Sequence, residues 1–344
     1  MTHSDAHRRF SGKISRRRLL ADVVAAGAVG TTALLLHERL SRREPKTPVF
    51  IAKASSYGAD LASIIEAGLR SLGVGPGEVR GKRILLKPNF IETVRGAKHI
   101  CTQPEVIVAA VETFRRFGAA SVVVGEGSGH SRDTTRVVEE TGTAETLVEC
   151  KTPFVDLNND DLIVKRNAGG MSHFETLTLP ATVEQVDWVV SMPKMKTHHW
   201  VGVTLSMKNL FGLMPGIVYG WPKNVFHWAG IEPSILDINA TVKPHLAIID
   251  GIVGMEGDGP IMGMPKPAGV IVMGTDLVAT DATAARIMGI DPRKVLYLRI
   301  AAHRLGTIRE ERIVQRGEAI ASVRTDFELM DFIPAHQGLR LPDA

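Results

Sequence analysis

The strongest constraint on this chain is a rhythm of short apolar runs separated by longer amphipathic stretches. "RILLK" (83–87), "SVVVG" (121–125), "DWVVSM" (187–192), "LAIID" (246–250) and "GVIVMG" (269–274) each end at a proline, a glycine or a polar cluster. Among them, "LASIIEAGLRSLG", "PEVIVAAVETFRRFG", "DTTRVVEETG", "TDLVATDATAARIMG" and "DPRKVLYLRIAAHRLG" carry helical spacing. Short runs apolar on both sides belong to sheets buried on both faces, and the helices between them are the crossovers. The pattern predicts an α/β fold with a mainly parallel β-sheet and helices on both faces. A piece near 197–240 breaks the rhythm and reads as an inserted, lid-like segment, and "RGEAIASVRTDFEL" in the tail reads as a further short strand. With 344 residues, 44% of them hydrophobic, the chain can bury a core for one large domain or two.

In open parallel sheets, ligands sit beyond the carboxyl ends of the strands. Those ends carry Lys87 and Asn89, then Glu126 and the loop "GEGSGHS", then Lys194, Lys196 and His198, and then Asp250. The last runs on into "GIVGMEGDGP", which holds Glu256 and Asp258 and whose part "GMEGDGP" has turn composition. Lys208 follows in "SMKNLFG". A parallel sheet would draw these groups into one cleft. Crowded ammonium groups call for an anion or for carboxylates, and one of them can be driven to a lower pKa and serve as a base. The expected ligand is therefore an anionic small molecule, a phosphate ester or a polycarboxylate. Lys194, Lys196, His198 and Lys208 are the acid–base and electrostatic candidates, with Lys87, Asn89 and Glu126 as binding groups. A desolvated Lys194 or Lys196 would also suit a Schiff base.

Asp281 is out of place. Leu277, Asp281, Ala285 and Met288 share one helical stripe, and a carboxylate in an apolar stripe needs a cation, a metal or several hydrogen bonds. Asp250, Glu256 and Asp281 are oxygen ligands of the kind that suits magnesium or manganese, whereas His198, His199 and His227 would suit zinc, iron or nickel. A capping or turn role competes with metal binding at each carboxylate. The glycines of "GEGSGHS" do not make a dinucleotide fingerprint, and Ser128 lacks the flanks of a hydrolase elbow. Cys101 and Cys150 stand alone, which fits either one disulfide or two buried thiols and argues against an encoded iron–sulfur site.

The blocks "LLKPNF", "TQPEVIVAAV", "MPKMKTHHWVGVTLSMKNLFGLMPG", "IIDGIVGMEGDGPIMG" and "ATDATAARIMGIDP" resemble, in order, those of the bacterial and archaeal family called domain of unknown function (DUF) 362. The resemblance spans about 50–306. It implies family polar positions at Lys87, Asn89, Lys194, Lys196, Thr197, His198, Lys208, Asn209, Asp250, Glu256, Gly257 and Asp281, and so adds Asn209 to the binding candidates. The family has no general reaction. Some relatives add ferredoxin-like cysteine motifs, which this chain lacks, so no iron–sulfur cluster is expected.

The charge is unevenly spread. The net formal charge is +4, yet residues 1–47 hold ten Lys/Arg against four Asp/Glu, and the rest of the chain holds 31 against 33. A nearly neutral body argues against nucleic acid as a partner. "SRRRLLADVVAAGAVGTTALLL" resembles a twin-arginine signal, with Arg16 and Arg17 ahead of an apolar run too short to span a bilayer comfortably. The expected organisation is a signal or tether over 1–47, an α/β domain over 48–306 and a C-terminal extension over 307–344. The expected partner of the leader is the twin-arginine translocase, and the expected location is the periplasm or the outer face of the cytoplasmic membrane, with an uncleaved tether compatible. The functional expectation is an exported enzyme acting on an anionic small molecule, with divalent-metal dependence as an option. The alternative is a binding or cofactor-assembly protein that uses the same cleft without turnover.

Overall fold

The computed structural model describes residues 46–92, 96–130 and 133–342, so the twin-arginine pattern lies outside the described residues. The strands, in chain order, are β1 (Thr47–Lys53), β2 (Arg83–Pro88), β3 (Ser121–Glu126), β4 (Phe154–Asp156), β5 (Leu162–Arg166), β6 (Thr176–Pro180), β7 (Trp188–Met192), β8 (Lys194–His198), β9 (Gly202–Thr204), β10 (Leu246–Glu256), β11 (Met264–Gly274) and β12 (Ile313–Gly317). Among the described residues, ten of these form one sheet with the path β12-β1-β11-β10-β7-β2-β3-β4, while β8 pairs with β10 and β9, and β5 and β6 form a separate hairpin. The pairs β3–β4, β2–β3, β2–β7, β7–β10, β8–β10 and β1–β12 are parallel. Antiparallel pairing is confined to β1–β11, β10–β11 and β8–β9 within this sheet. The mainly parallel α/β expectation holds.

Alternation along the strands builds two cores. Ile84, Leu86, Val122, Val124, Val190, Leu246, Ile248 and Ile271 face one side, where Ile65 and Leu69 of helix Leu61–Ser71 and Ile107 and Phe114 of helix Pro104–Arg116 cover them. Leu85, Val189, Ala247, Ile249, Val270 and Val272 face the other, against helices Ile231–Val242 and Leu277–Ile287. Neighbouring residues point to opposite faces, so both sides of each central strand must be apolar. The helix starts follow local chemistry. Pro104 opens its helix, and the Asp60 and Asp276 carboxylates accept from the Ser63 and Ala279 backbone N–H groups at 3.0 Å.

Three elements differ from the sequence expectation. β1 is a strand the apolar rhythm did not single out, and it pairs with both β11 and β12. β10 continues through "GME" instead of turning there. Its glycines serve close packing: a Cβ on Gly254 would meet the Met195 carbonyl and the Phe327 ring, both at 2.8 Å. In the tail, the strand is Ile313–Gly317, just ahead of most of the expected stretch, and Ile320–Val323 is a helical turn. The segment near 197–240 is built from β9 and a series of short helices before Ile231–Val242. It crosses the carboxyl ends of β2 and β3, because Gly212 sits directly against Lys87 and Glu126. Phe327 is fully buried in the second of these cores, and the Asp291 N–H donates to the Leu339 carbonyl at 2.8 Å.

Leu86 is fully buried between the sheet and its helices. Leu86→Ala is expected to cost about 3 kcal/mol of unfolding free energy, read from urea denaturation; a loss under about 1 kcal/mol would contradict this packing.

Candidate functional site

Beyond the carboxyl ends of β2 and β3 lies a cavity of about 420 Å³. Phe90, Ile91, Trp200, Phe211, Pro222, Ile261 and Met262 give it apolar walls, and Lys87, Asn89, Glu126, His198, Lys208 and Lys223 contribute polar groups. A volume of this size, with few polar groups in apolar walls, suits a small organic ligand.

The floor is an ion pair. Lys87 ends β2 and Glu126 ends β3, and their parallel pairing brings the two side chains together. Lys87 Nζ donates to Glu126 Oε2 at 2.7 Å, to the Asn209 carbonyl at 2.6 Å and to Asn209 Oδ1 at 2.9 Å. Glu126 also accepts from the Phe90 and Gly127 N–H groups at 3.0 and 2.9 Å. Burial pulls the Lys87 pKa down and Glu126 opposes it. All three ammonium hydrogens have acceptors, so this lysine is committed to the fold.

Lys208 is different. Burial lowers its pKa to about 7, with the Lys87 charge adding to the effect. Among the described residues it has no hydrogen-bond acceptor, and its Nζ sits 4.0 Å from the centre of the Phe211 ring. Lys223 is also drawn down to about 7 by burial, and its Nζ donates to Asn158 Oδ1. His198 is held well below its usual range by burial and then by Lys208, so it is neutral. The Trp200 N–H donates to its Nδ1 at 3.1 Å, which places the ring proton on Nε2. Two further polar atoms, Asn89 Oδ1 and Thr204 Oγ1, are buried without a partner among the described residues, and both residues line the cavity.

Of the residues expected from sequence, Lys87, Asn89, Glu126, His198, Lys208 and Asn209 therefore meet at one cavity. Lys194 does not line it. The β8–β10 register sets Lys194 opposite Asp250, and the buried Lys194 Nζ contacts Asp250 Oδ2 at 2.5 Å and the Tyr57 hydroxyl at 2.9 Å. Lys196 lies behind the cavity wall, where its Nζ donates to the Ile100 and Pro260 carbonyls at 2.9 and 3.2 Å, and burial lowers it to about 7.

The three carboxylates considered as metal ligands do not come together. Asp250 is taken by Lys194 and Tyr57, and Glu256 pairs with Lys266 at 2.8 Å. Asp281 accepts from the Ser206 and Met207 N–H groups at 2.7 and 3.0 Å and from the Ser206 hydroxyl. Among the described residues no three His, Cys, Asp or Glu groups are placed to hold a metal ion. The physical reason is that each of the three carboxylates already has nearby protein donors. Burial raises the Asp281 pKa to about 7 against those hydrogen bonds. Asp281 orients a lysine only indirectly, by pinning the start of the short helix Ser206–Asn209 that carries Lys208. Cys101 and Cys150 are free thiols.

Sequence reasoning missed Lys223, Trp200 and Thr204. One signal existed, since Lys223 is the only Lys or Arg between Lys208 and Lys243 in a strongly apolar stretch. A wider groove of about 830 Å³ is lined by Asp60, Glu105, Glu112, Glu140 and Glu149, and meets the Lys194–Asp250 network at Tyr57 and Gln103.

Comparison with known proteins agrees with the resemblance. The family described as domain of unknown function (DUF362) matches residues 84–286, and the chain belongs to that family. The chain is also 29% identical over 270 residues to a thylakoid-associated protein of Synechocystis sp., covering 75% of this chain and 79% of that protein.

Asp281→Leu leaves the buried Ser206 and Met207 N–H groups unmet. The expected cost is about 3 kcal/mol by chemical denaturation, from two or more lost hydrogen bonds to a buried acceptor. An unchanged or raised stability would contradict the pinning role.

Proposed function

We propose that this family member binds an anionic small molecule with an apolar body in the cavity and acts on it as an enzyme. One observation carries the reading: Lys208 is a half-buried cation with no acceptor among the described residues, while the carboxylate nearest the cavity floor, Glu126, is already satisfied by Lys87. An incoming carboxylate or phosphate would be the missing counter-charge. Lys223 adds a second cation, and the His198 Nε2–H is a neutral donor. The walls formed by Phe90, Phe211 and Trp200 favour a ligand whose body is apolar or aromatic. Asn89 and Thr204 are further polar residues of the cavity lining.

A second reading, binding without turnover, draws on the lack of an activated nucleophilic hydroxyl among the described residues. The Ser128 hydroxyl donates to the Ile91 carbonyl at 3.1 Å, and His198 Nδ1 is already engaged. Turnover assays on each ligand that raises the melting temperature separate the two.

Lys208 and Lys223 sit at about 7 in the free protein, and a bound anion stabilises their charged forms. Binding should therefore take up protons near neutrality, and affinity should fall as pH rises above 7, by about tenfold per unit for one linked lysine. Calorimetry with benzoate and phenyl phosphate between pH 6 and 9, in buffers of different ionisation heat, tests this; pH-independent affinity without proton uptake would contradict it.

The location follows from the leader. We infer export through the twin-arginine route, supported by Arg16 and Arg17 ahead of the apolar run and, loosely, by the relative whose name records thylakoid association. Replacing both arginines by lysine should leave the protein in the cytoplasmic fraction; unchanged export would rule the signal out.

A further inference from the structure

The four buried lysines around the site are all engaged. Lys87 gives its hydrogens to Glu126 and Asn209, Lys194 to Asp250 and Tyr57, Lys196 to two carbonyls and Lys223 to Asn158. Lys208, half-buried, is the cavity lysine that has no acceptor among the described residues, faces an organic-sized cavity and rests on the Phe211 ring. A site that needed only a fixed positive charge would hold it as it holds Lys87. An unheld amine in apolar surroundings sheds its proton readily, and its lone pair becomes a nucleophile.

We propose that Lys208 captures a carbonyl group of the substrate as an iminium, with the His198 Nε2–H donating to the carbonyl oxygen. The inference rests on the anion-site reading, with Lys223 as the cation that holds the carboxylate or phosphate while Lys208 takes the carbonyl, and narrows the ligand to an aldehyde or ketone that also carries such a group. Sequence reasoning placed a Schiff base on Lys194 or Lys196; the partners of those two residues move it to Lys208.

The step balances without a co-reactant. Neutral Nζ attacks the carbonyl carbon, the C–O π pair moves onto oxygen, and a proton passes from nitrogen to that oxygen to give the carbinolamine. The oxygen then takes one more proton from solvent and leaves as water while the nitrogen lone pair forms the C=N bond. Starting from the ammonium form, two hydrogens leave with the oxygen, one stays on nitrogen, and the single positive charge is retained. His198 suits its part because its Nδ1 lone pair is occupied by the Trp200 N–H, which leaves Nε2–H as a neutral donor whose strongest charged neighbour is Lys208. The depression of Lys208 to about 7 agrees with the geometry, since it keeps a large share of the amine neutral at physiological pH.

The test uses the full chain with 4-formylbenzoate and cyanoborohydride, followed by peptide mapping. Terephthalate, which has the anion and the ring but no reactive carbonyl, is the competitor. The expected result is one reduced adduct, on the peptide containing Lys208, suppressed by terephthalate. Lys208→Arg keeps the charge and cannot form an imine, so it should lose at least tenfold of the labelling while still binding terephthalate by calorimetry. Lys208→Met should lose labelling as well. Labelling of Lys208→Arg at the wild-type level, or an adduct only on other lysines, would overturn the proposal. Terephthalate binding by the wild type without any adduct would overturn the nucleophile and leave the anion site standing. An absence of both binding and adduct would overturn the anion site with it.

Discussion

The Lys87–Glu126 pair is the constraint on which the site depends. Two charges removed from water are stable only if their attraction and their remaining hydrogen bonds offset desolvation. Here every ammonium hydrogen is taken, and both carboxylate oxygens accept from protein donors. That requirement fixes the ends of β2 and β3, the Asn209 end of a short helix and the close approach of Gly212, where any side chain would collide with both charged groups. The pair is closed on itself. It contributes a rigid floor, and the reactive character of the cavity comes from the lysines it leaves unpaired.

The same logic divides the lysines into two kinds. Lys87 and Lys194 have carboxylates and hold the sheet ends together; Lys196 leans on backbone carbonyls. Lys208 and Lys223 lack carboxylate partners and line a mainly apolar cavity, so their protonation is set by what enters it. Coupling between ligand charge and amine protonation then links binding to chemistry in one small volume. Asp281 supports this from outside, by pinning the turn that presents Lys208.

Much of this was legible in the sequence, for a physical reason. Parallel strands buried on both faces must be apolar, so their polar terminators stand out, and Lys87, Glu126 and His198 were found that way. The same reading failed where glycine had a different job. In β10, Gly254 lets Met195 and Phe327 approach, and composition alone made the strand look like a turn. Tertiary pairing was also out of reach: Asp250 and Asp281 looked like free ligands because the β8–β10 register that gives Asp250 its Lys194, and the helix packing that gives Asp281 the Ser206 and Met207 N–H groups, are tertiary facts. Lys223 escaped because a lysine in the irregular "GWPKN" stretch carries no periodic signal, although its isolation in an apolar segment was a clue.

The claim at the centre is that Lys208 stands unpaired and largely desolvated in a cavity built for an anion. NMR titration of ε-carbon-labelled lysines, with Lys208 assigned by substitution, measures this directly. The account predicts a Lys208 transition at about pH 7 in the free protein, moving upward when benzoate is added. A Lys208 transition near the ordinary lysine value, roughly 10.4, and indifferent to the anion would contradict it.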